Sequence, residues 1–227
     1  MGKKTKALFD SWTSKYDAWF ETPSGMLIQQ YESDLLLELL NPLPGESILD
    51  VGCGTGIFTR DVMTRGPRIT GVDLSEPMLR IAVDRGAGKN FTGICANMCA
   101  LPFANESFDK VVSMTAIEFV RDARQAVDEL NRVTRQGGCI VLTTLNSLSP
   151  WAERRRQKAK TGHSLFQEIY FRSPEEMRRL VPADPVIKTA IHFQKHDTIS
   201  EAPKIESNGK KNHPDKGAFL AVQWNKP

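Results

Sequence analysis

The residues best suited to chemistry are two acids and three glycines at the ends of two short apolar runs. Residues 48–56 read ILDVGCGTG and residues 69–74 read ITGVDL. Ile48, Leu49 and Val51 predict a buried strand in which Asp50 stands just ahead of a turn, with Gly52, Gly54 and Gly56 on alternate positions. Glycine lets a backbone approach a ligand where a Cβ would collide. A helix starting near Ile57 offers unpaired N–H groups to a negative group. Asp73, at the tip of the second strand, can accept hydrogen bonds from both hydroxyls of a ribose. Together these residues predict a nucleoside-binding turn. The dinucleotide fingerprint needs Gly or Ala at position 57, where this chain has Ile57, and its third glycine comes one residue early. Asp50 suits an ammonium and repels a pyrophosphate.

The elements that position these groups follow from periodicity and punctuation. Thr5 to Leu40 predicts amphipathic helix with a break at Thr22-Pro23-Ser24-Gly25; Phe9, Trp12, Tyr16, Trp19 and Phe20 recur at three- and four-residue spacing, most on one face. Strands are expected at 47–51, 68–73, 91–95, 109–114 and 139–145, alternating with helices from Ile57 to Arg65, from Ser75 (an N-cap ahead of Pro77) to Arg85, and from Arg121 to Arg135. Ala123, Ala126, Val127, Leu130 and Val133 mark the buried side of the last of these. Gln136-Gly137-Gly138 reads as a tight turn. Such alternation predicts a parallel sheet with helices on both faces. A charged stretch at 153–160, a short helix at 174–180 capped by Ser173, and two final strands at 186–193 and 218–224 complete the chain, with a polar loop expected at 194–217.

The chain has 227 residues, enough for one domain with a large core. Its apolar stretches fall short of a membrane span, and MGKKTKALFD lacks the apolar core of a signal peptide, so a cytoplasmic protein is expected. The net charge of +3 argues neither for nor against a nucleic-acid partner. Of the four cysteines, Cys95 and Cys99 have no histidine nearby and make a poor metal pattern; no metal site is expected, and buried or pocket-edge thiols are.

The pattern D-x-G-x-G-x-G at 50–56, followed by G-V-D-L-S at 71–75, resembles the class I S-adenosylmethionine (SAM) methyltransferases. The resemblance covers Ile48 to about Asn146 and is nearest the small-molecule branch that includes ubiquinone and menaquinone methyltransferases. It implies a Rossmann-like sheet of seven strands, mostly parallel with the last antiparallel. It also implies a single domain made of a helical lid (1–45), a SAM-binding core (46–145), an insertion or lid (146–183) and C-terminal strands (184–227). SAM and its product S-adenosylhomocysteine are then expected at Asp50, Gly52, Cys53, Gly54, Gly56, Asp73, Leu74, Met78, Asn97, Met98 and Thr115. In G-D-A-x-x-L-P-F, the branch's usual motif after strand three, the acid that accepts from the adenine amino group is here Asn97, whose amide oxygen can still accept. Leu74 and Met78 would line the adenine edge.

A sulfonium is already an activated methyl donor, so the protein has mainly to align donor and acceptor and exclude water. Deprotonating an acceptor calls on one base, for which Glu118, His163 and Tyr16 are the candidates, with Asp17 behind them. Tyr16 to Phe20 resembles the Y-D-x-W-F segment that covers the cofactor in relatives. Trp19, Glu118, Trp151 and Tyr170 are expected to bind the acceptor. Strand four runs into SMTA, with no N/D-P-P-Y/F, and no Pro-Cys dipeptide supplies a cytosine-C5 nucleophile. These losses favour a small organic acceptor methylated on carbon, oxygen or nitrogen. Two other readings stand beside it: an RNA methyltransferase using the basic insertion, and a SAM-binding regulator without catalysis. The acceptor, the methylated atom and the oligomeric state stay open.

Overall fold

The computed structural model describes residues 7–162, 167, 169–182 and 184–227. Its centre is a seven-stranded sheet of order β3-β2-β1-β4-β5-β7-β6. The strands are β1 (Ser47–Val51), β2 (Arg68–Asp73), β3 (Phe91–Cys95), β4 (Phe108–Ser113), β5 (Thr134–Leu145), β6 (Val186–Ala190) and β7 (Phe219–Asn225). The first five pair in parallel, and β7 runs antiparallel to both β5 and β6. β1 is buried on both faces, which is why it reads as an unbroken apolar run. Alternate side chains feed two cores. Ile48, Ile69, Val141 and Phe219 point to one, and Leu49, Val72, Ile140 and Leu220 to the other.

The helices are α1 (Thr13–Phe20), α2 (Pro23–Leu40), α3 (Thr59–Met63), α4 (Glu76–Arg85), α5 (Ala123–Val133), α6 (Pro150–Lys160), α7 (Pro174–Leu180) and α8 (Ala202–Asn212). Local chemistry starts most of them. Thr22 accepts from the Gly25 N–H ahead of α2, Ser75 from Met78 ahead of α4, and Ser149 from Ala152 ahead of α6, each with proline in the first turn. Ser173 and Glu176 form a reciprocal capping box at α7. α2, α3, α6 and α8 contribute to the first core, α5 and α7 to the second.

Three expectations are corrected. α3 is only five residues long, because Ile57 and Phe58 are still in turn conformation after the glycines. β5 starts at Thr134 and keeps the Gly137 turn inside it, so its pairing with β4 slips between Phe108 and Lys110. The stretch expected as a polar loop contains α8. There Glu206 is buried and accepts from the backbone N–H of Ile191 (3.1 Å) and His192 (2.6 Å), and Gly209 lies against the His192 side chain. A carboxylate and a glycine hold the buried face, so no apolar period marks it.

Candidate functional site

The chain order reverses at β1, which has β2 on one side and β4 on the other; ligands of such sheets bind beyond the strand ends at that point. Two adjoining cavities open there. The smaller holds about 230 Å³ and is lined by Gly52, Gly54, Asp73, Leu74, Met78, Asn97, Met98 and Thr115, with Ala7, Leu8, Phe9 and Tyr16 closing it from the N-terminal side. Gly54 has φ 55° and nothing within 4 Å of where a Cβ would stand. Gly52, at φ 75°, has no room for one, since it would lie 2.4 Å from the Ala116 Cβ. The turn is therefore bare on its ligand side and packed hard against the segment leaving β4.

Asp73 braces this turn. One of its oxygens accepts from the Gly54 N–H and the other from the Ser75 N–H, each at 2.8 Å. Each oxygen keeps a further lone pair for a ligand hydroxyl. Burial pushes the carboxyl above its ordinary value while these N–H groups pull it back. Leu74, 59% exposed beside the cavity, offers an apolar surface to a flat ring. The Asn97 amide oxygen accepts from Cys99 N–H at 2.9 Å, which fixes the side chain and leaves a second lone pair. Thr115 has φ 44°, an unfavourable conformation for a β-branched residue, and its N–H donates to Thr143 Oγ1 at 2.9 Å. Such strain persists where surrounding structure enforces it.

The larger cavity, about 400 Å³, shares Phe9, Tyr16, Thr115 and Phe119 with the smaller. Its walls are aromatic and apolar (Trp12, Trp19, Phe20, Ile28, Trp151, Ile169, Phe219), with Glu32, Glu118 and five cations among them. The Trp151 indole N–H donates to the Phe193 carbonyl at 2.7 Å, which anchors one wall. Glu118 lies on a 3₁₀ turn, Ile117–Phe119, after β4. The Arg172 guanidinium donates to the Ile117 and Val120 carbonyls, and the Tyr170 N–H to the Glu118 carbonyl, so residues 170–172 splint that turn. Burial raises the Glu118 carboxyl to about 7, with its own backbone N–H, Arg155, Arg172 and the Thr144 hydroxyl opposing. Burial raises Glu32 to about 8; Arg155 opposes and Glu118 adds to the rise. Burial, then Glu32 and Glu118, push the Tyr16 hydroxyl up, which favours its protonated form.

The N-terminal segment is tied down over the smaller cavity. Ser75 Oγ donates to Asp10 at 2.7 Å, Thr55 Oγ1 to Asp17 at 2.6 Å, and Arg85 pairs with the other Asp17 oxygen at 2.8 Å. Asp17 is thus held by Thr55 and Arg85 rather than pointing free into the larger cavity.

The structure gathers most, but not all, of the residues expected from sequence. Asp50, Cys53 and Gly56 do not line the smaller cavity. Asp50 is buried behind the turn, where one oxygen accepts from Thr59 Oγ1 and the other has no hydrogen-bond partner; burial raises its carboxyl to about 6. Gly56 packs against Ala82 of α4. Glu118, Trp19 and Trp151 line the larger cavity, whereas Tyr170 lies outside it, 44% exposed, and Ile169 takes its place. His163 lies outside the described residues. Glu32 was missed. Its signal was an acid one turn after Ile28 and three residues before Leu35, on the buried face of α2. Among the described residues, no group of three or more His, Cys, Asp or Glu could hold a metal ion.

Residues 49–142 match the methyltransferase domain family. Over that stretch the chain is similar to a methyltransferase domain. A malonyl-[acyl-carrier protein] O-methyltransferase of Salmonella typhimurium is 42% identical over 118 residues, 52% of this chain and 46% of that protein. A demethylmenaquinone methyltransferase of Thermobifida fusca is 32% identical over 145 residues, 63% of this chain and 61% of that protein. The chain spans about half the length of the malonyl-[acyl-carrier protein] relatives it matches. Among solved structures, a SAM-dependent methyltransferase of Thermotoga maritima, described as a possible histamine N-methyltransferase, superposes with TM-score 0.72 at 25% identity, covering 96% of this chain and 98% of that one. The cofactor of the domain is SAM. The bare face of Gly54, the spare lone pairs of Asp73 and the exposed Leu74 suit a nucleoside with a polar tail.

Proposed function

We propose that this protein transfers a methyl group from SAM to a small organic acceptor held in the larger cavity. The observation that carries this reading is the pair of adjoining cavities with Phe9, Tyr16, Thr115 and Phe119 as their common wall. When bound, SAM supplies an activated methyl on a sulfonium. In this reading Asp73 binds the ribose hydroxyls, Asn97 and the Met98 N–H the adenine edge, and Gly52 and Gly54 the amino-acid end. Asp50 acts from behind the turn rather than as a direct ligand. Glu118, buried and titrating near neutrality, takes up a proton from the acceptor or orients it. Phe9, Phe119 and the tryptophans exclude water. The chain is then one domain, with residues 1–45 and 146–183 as the flanking lids. Four unpaired cysteines support a cytoplasmic setting.

The direct test is calorimetry with S-adenosylhomocysteine, followed by metabolite profiling with methyl-labelled SAM. Binding together with a labelled small product is expected. A protein that binds the cofactor product but labels nothing in any metabolite pool would be a cofactor-binding regulator instead.

A further inference from the structure

The larger cavity carries more charge than methyl transfer requires. Five cations line it: Lys15 of α1, Arg154, Arg155 and Lys158 of α6, and Lys195 beyond β6. They come from three stretches far apart in sequence and converge on one hollow. Among the described residues, none of the five has a carboxylate oxygen within 4.0 Å, although Arg155 feels the charges of Glu118 and Glu32 across the cavity. Most stand over aromatic walls instead. Lys15 lies 5.3 Å from the Trp12 ring centre, Lys195 5.5 Å from that of Trp19, and Arg154 and Arg155 each 5.5 Å from that of Trp151. Stacking of this kind holds a cation in place without neutralising it. Arg155 adds a second, independent sign, because its Nη1 is buried with no hydrogen-bond partner. A buried donor left unpaired is costly, and native structures rarely tolerate one without a purpose. Among the described residues, the carboxylates lining the cavity are Glu32 and Glu118, two acids facing five positive charges.

We infer that the acceptor is a small anion, a carboxylate- or phosphate-bearing molecule with an apolar or aromatic body, whose charged group is bound by Arg155 Nη1 together with the Lys15, Arg154, Lys158 and Lys195 cations. This deepens the proposed function and rests on the larger cavity being the acceptor site. An anionic group satisfies the orphaned Arg155 donor and offsets the excess positive charge; a neutral acceptor does neither. The tryptophan walls take the body of the molecule, and a volume of about 400 Å³ suits a small ligand. A nucleic-acid strand is disfavoured because the unpaired donor, Arg155 Nη1, is buried within the hollow, while the exposed Lys15, Lys158 and Lys195 gather around the same cavity.

The experiment is calorimetry on the full chain saturated with S-adenosylhomocysteine, titrated with phenyl phosphate, benzoate and benzyl alcohol, and separately with a single-stranded RNA 12-mer. The two anions should bind at least about tenfold more tightly than the alcohol, and added salt should weaken them. Arg155→Gln should cost about tenfold in anion affinity, as should the exposed-site double change Lys158→Gln with Lys195→Gln, while S-adenosylhomocysteine affinity stays within about twofold of wild type. The order of phenyl phosphate and benzoate tells a phosphate-bearing acceptor from a carboxylate-bearing one. Benzyl alcohol binding as well as the anions, anion binding indifferent to both sets of substitutions, no probe binding at all, or RNA binding in preference to the small anions would each overturn the proposal. Failure of S-adenosylhomocysteine itself to bind would instead remove the methyltransferase reading beneath it.

Discussion

The smaller cavity takes its polar contacts from the ends of β1, β2 and β3, where backbone N–H groups, glycines and one short carboxylate do the work. The larger takes its walls from α1, α2, the 3₁₀ turn, α6 and the segments around β6 and β7, residues spread from Phe9 to Phe219. The first is built on the strand ends of the sheet and closed by residues of the N-terminal segment. The second depends on long side chains from elements that must first dock. One fold can therefore keep a fixed grip on a common cofactor while the surrounding elements determine what else is bound.

Four changes would sharpen or break this contrast. The largest effect is expected from Glu32→Gln. The unfolded chain releases this proton near the ordinary value of 4.5, and the folded one near 8, so the folded state holds more protons in between. The neutral carboxyl therefore favours the fold at low pH, and that advantage fades as pH rises through about 8. Wild-type stability should fall by a few kcal/mol, to order of magnitude, between pH 5 and pH 9 in denaturant titrations, and the Gln variant should flatten the curve. Parallel curves would show that Glu32 is not held protonated. Asp73→Ala should weaken S-adenosylhomocysteine by about 1.5–3 kcal/mol, and loosening of the Gly54 turn adds to the loss. An unchanged affinity would detach the ribose from Asp73.

Asp17→Asn removes a half-buried ion pair to Arg85 and should cost about 1 kcal/mol in cofactor binding, with faster hydrogen exchange over α1. Exchange unaltered across α1 would mean that the segment is held by its aromatic contacts alone. The smallest effect is expected from Tyr170→Ala, whose ring is exposed outside the cavity; labelled transfer and cofactor affinity should both stay within about 0.5 kcal/mol of wild type. A large loss of transfer would bring residues 169–171 into the acceptor site.

The cofactor side was the more legible part because its information is local. Asp50 to Gly56 and Gly71 to Ser75 carry their spacing in two short runs, and all seven strands lie where periodicity placed them, with shifts confined to their ends. Even here, sequence set Asp50 beside the ligand, whereas strand alternation turns it to the face that α3 covers, against Thr59. The acceptor side was only half legible. Trp19 and Trp151 could be picked out as large aromatics outside the core motifs, but aromatic character alone did not separate them from Tyr170, since one residue of register decides whether Ile169 or Tyr170 faces inward. Glu32 and α8 were hidden for a shared reason: each puts a carboxylate on a buried face, where an apolar period is the only signal sequence reading looks for. In α8 the buried Glu206 answers to backbone N–H groups of Ile191 and His192, partners that exist only once the chain has folded.

Phe9 and Tyr16 belong to both cavities, and the segment that carries them is pinned by Asp10 to Ser75 and by Asp17 to Thr55 and Arg85. A molecule in either hollow leans on the same two rings, so the two ligands do not bind as strangers. Whatever factor an acceptor contributes to the affinity for S-adenosylhomocysteine, S-adenosylhomocysteine returns to the acceptor in full, since linkage between binding sites is reciprocal. Under the proposed function, the affinity for the spent cofactor and the affinity for the methylated product would then be coupled through one wall that both ligands share.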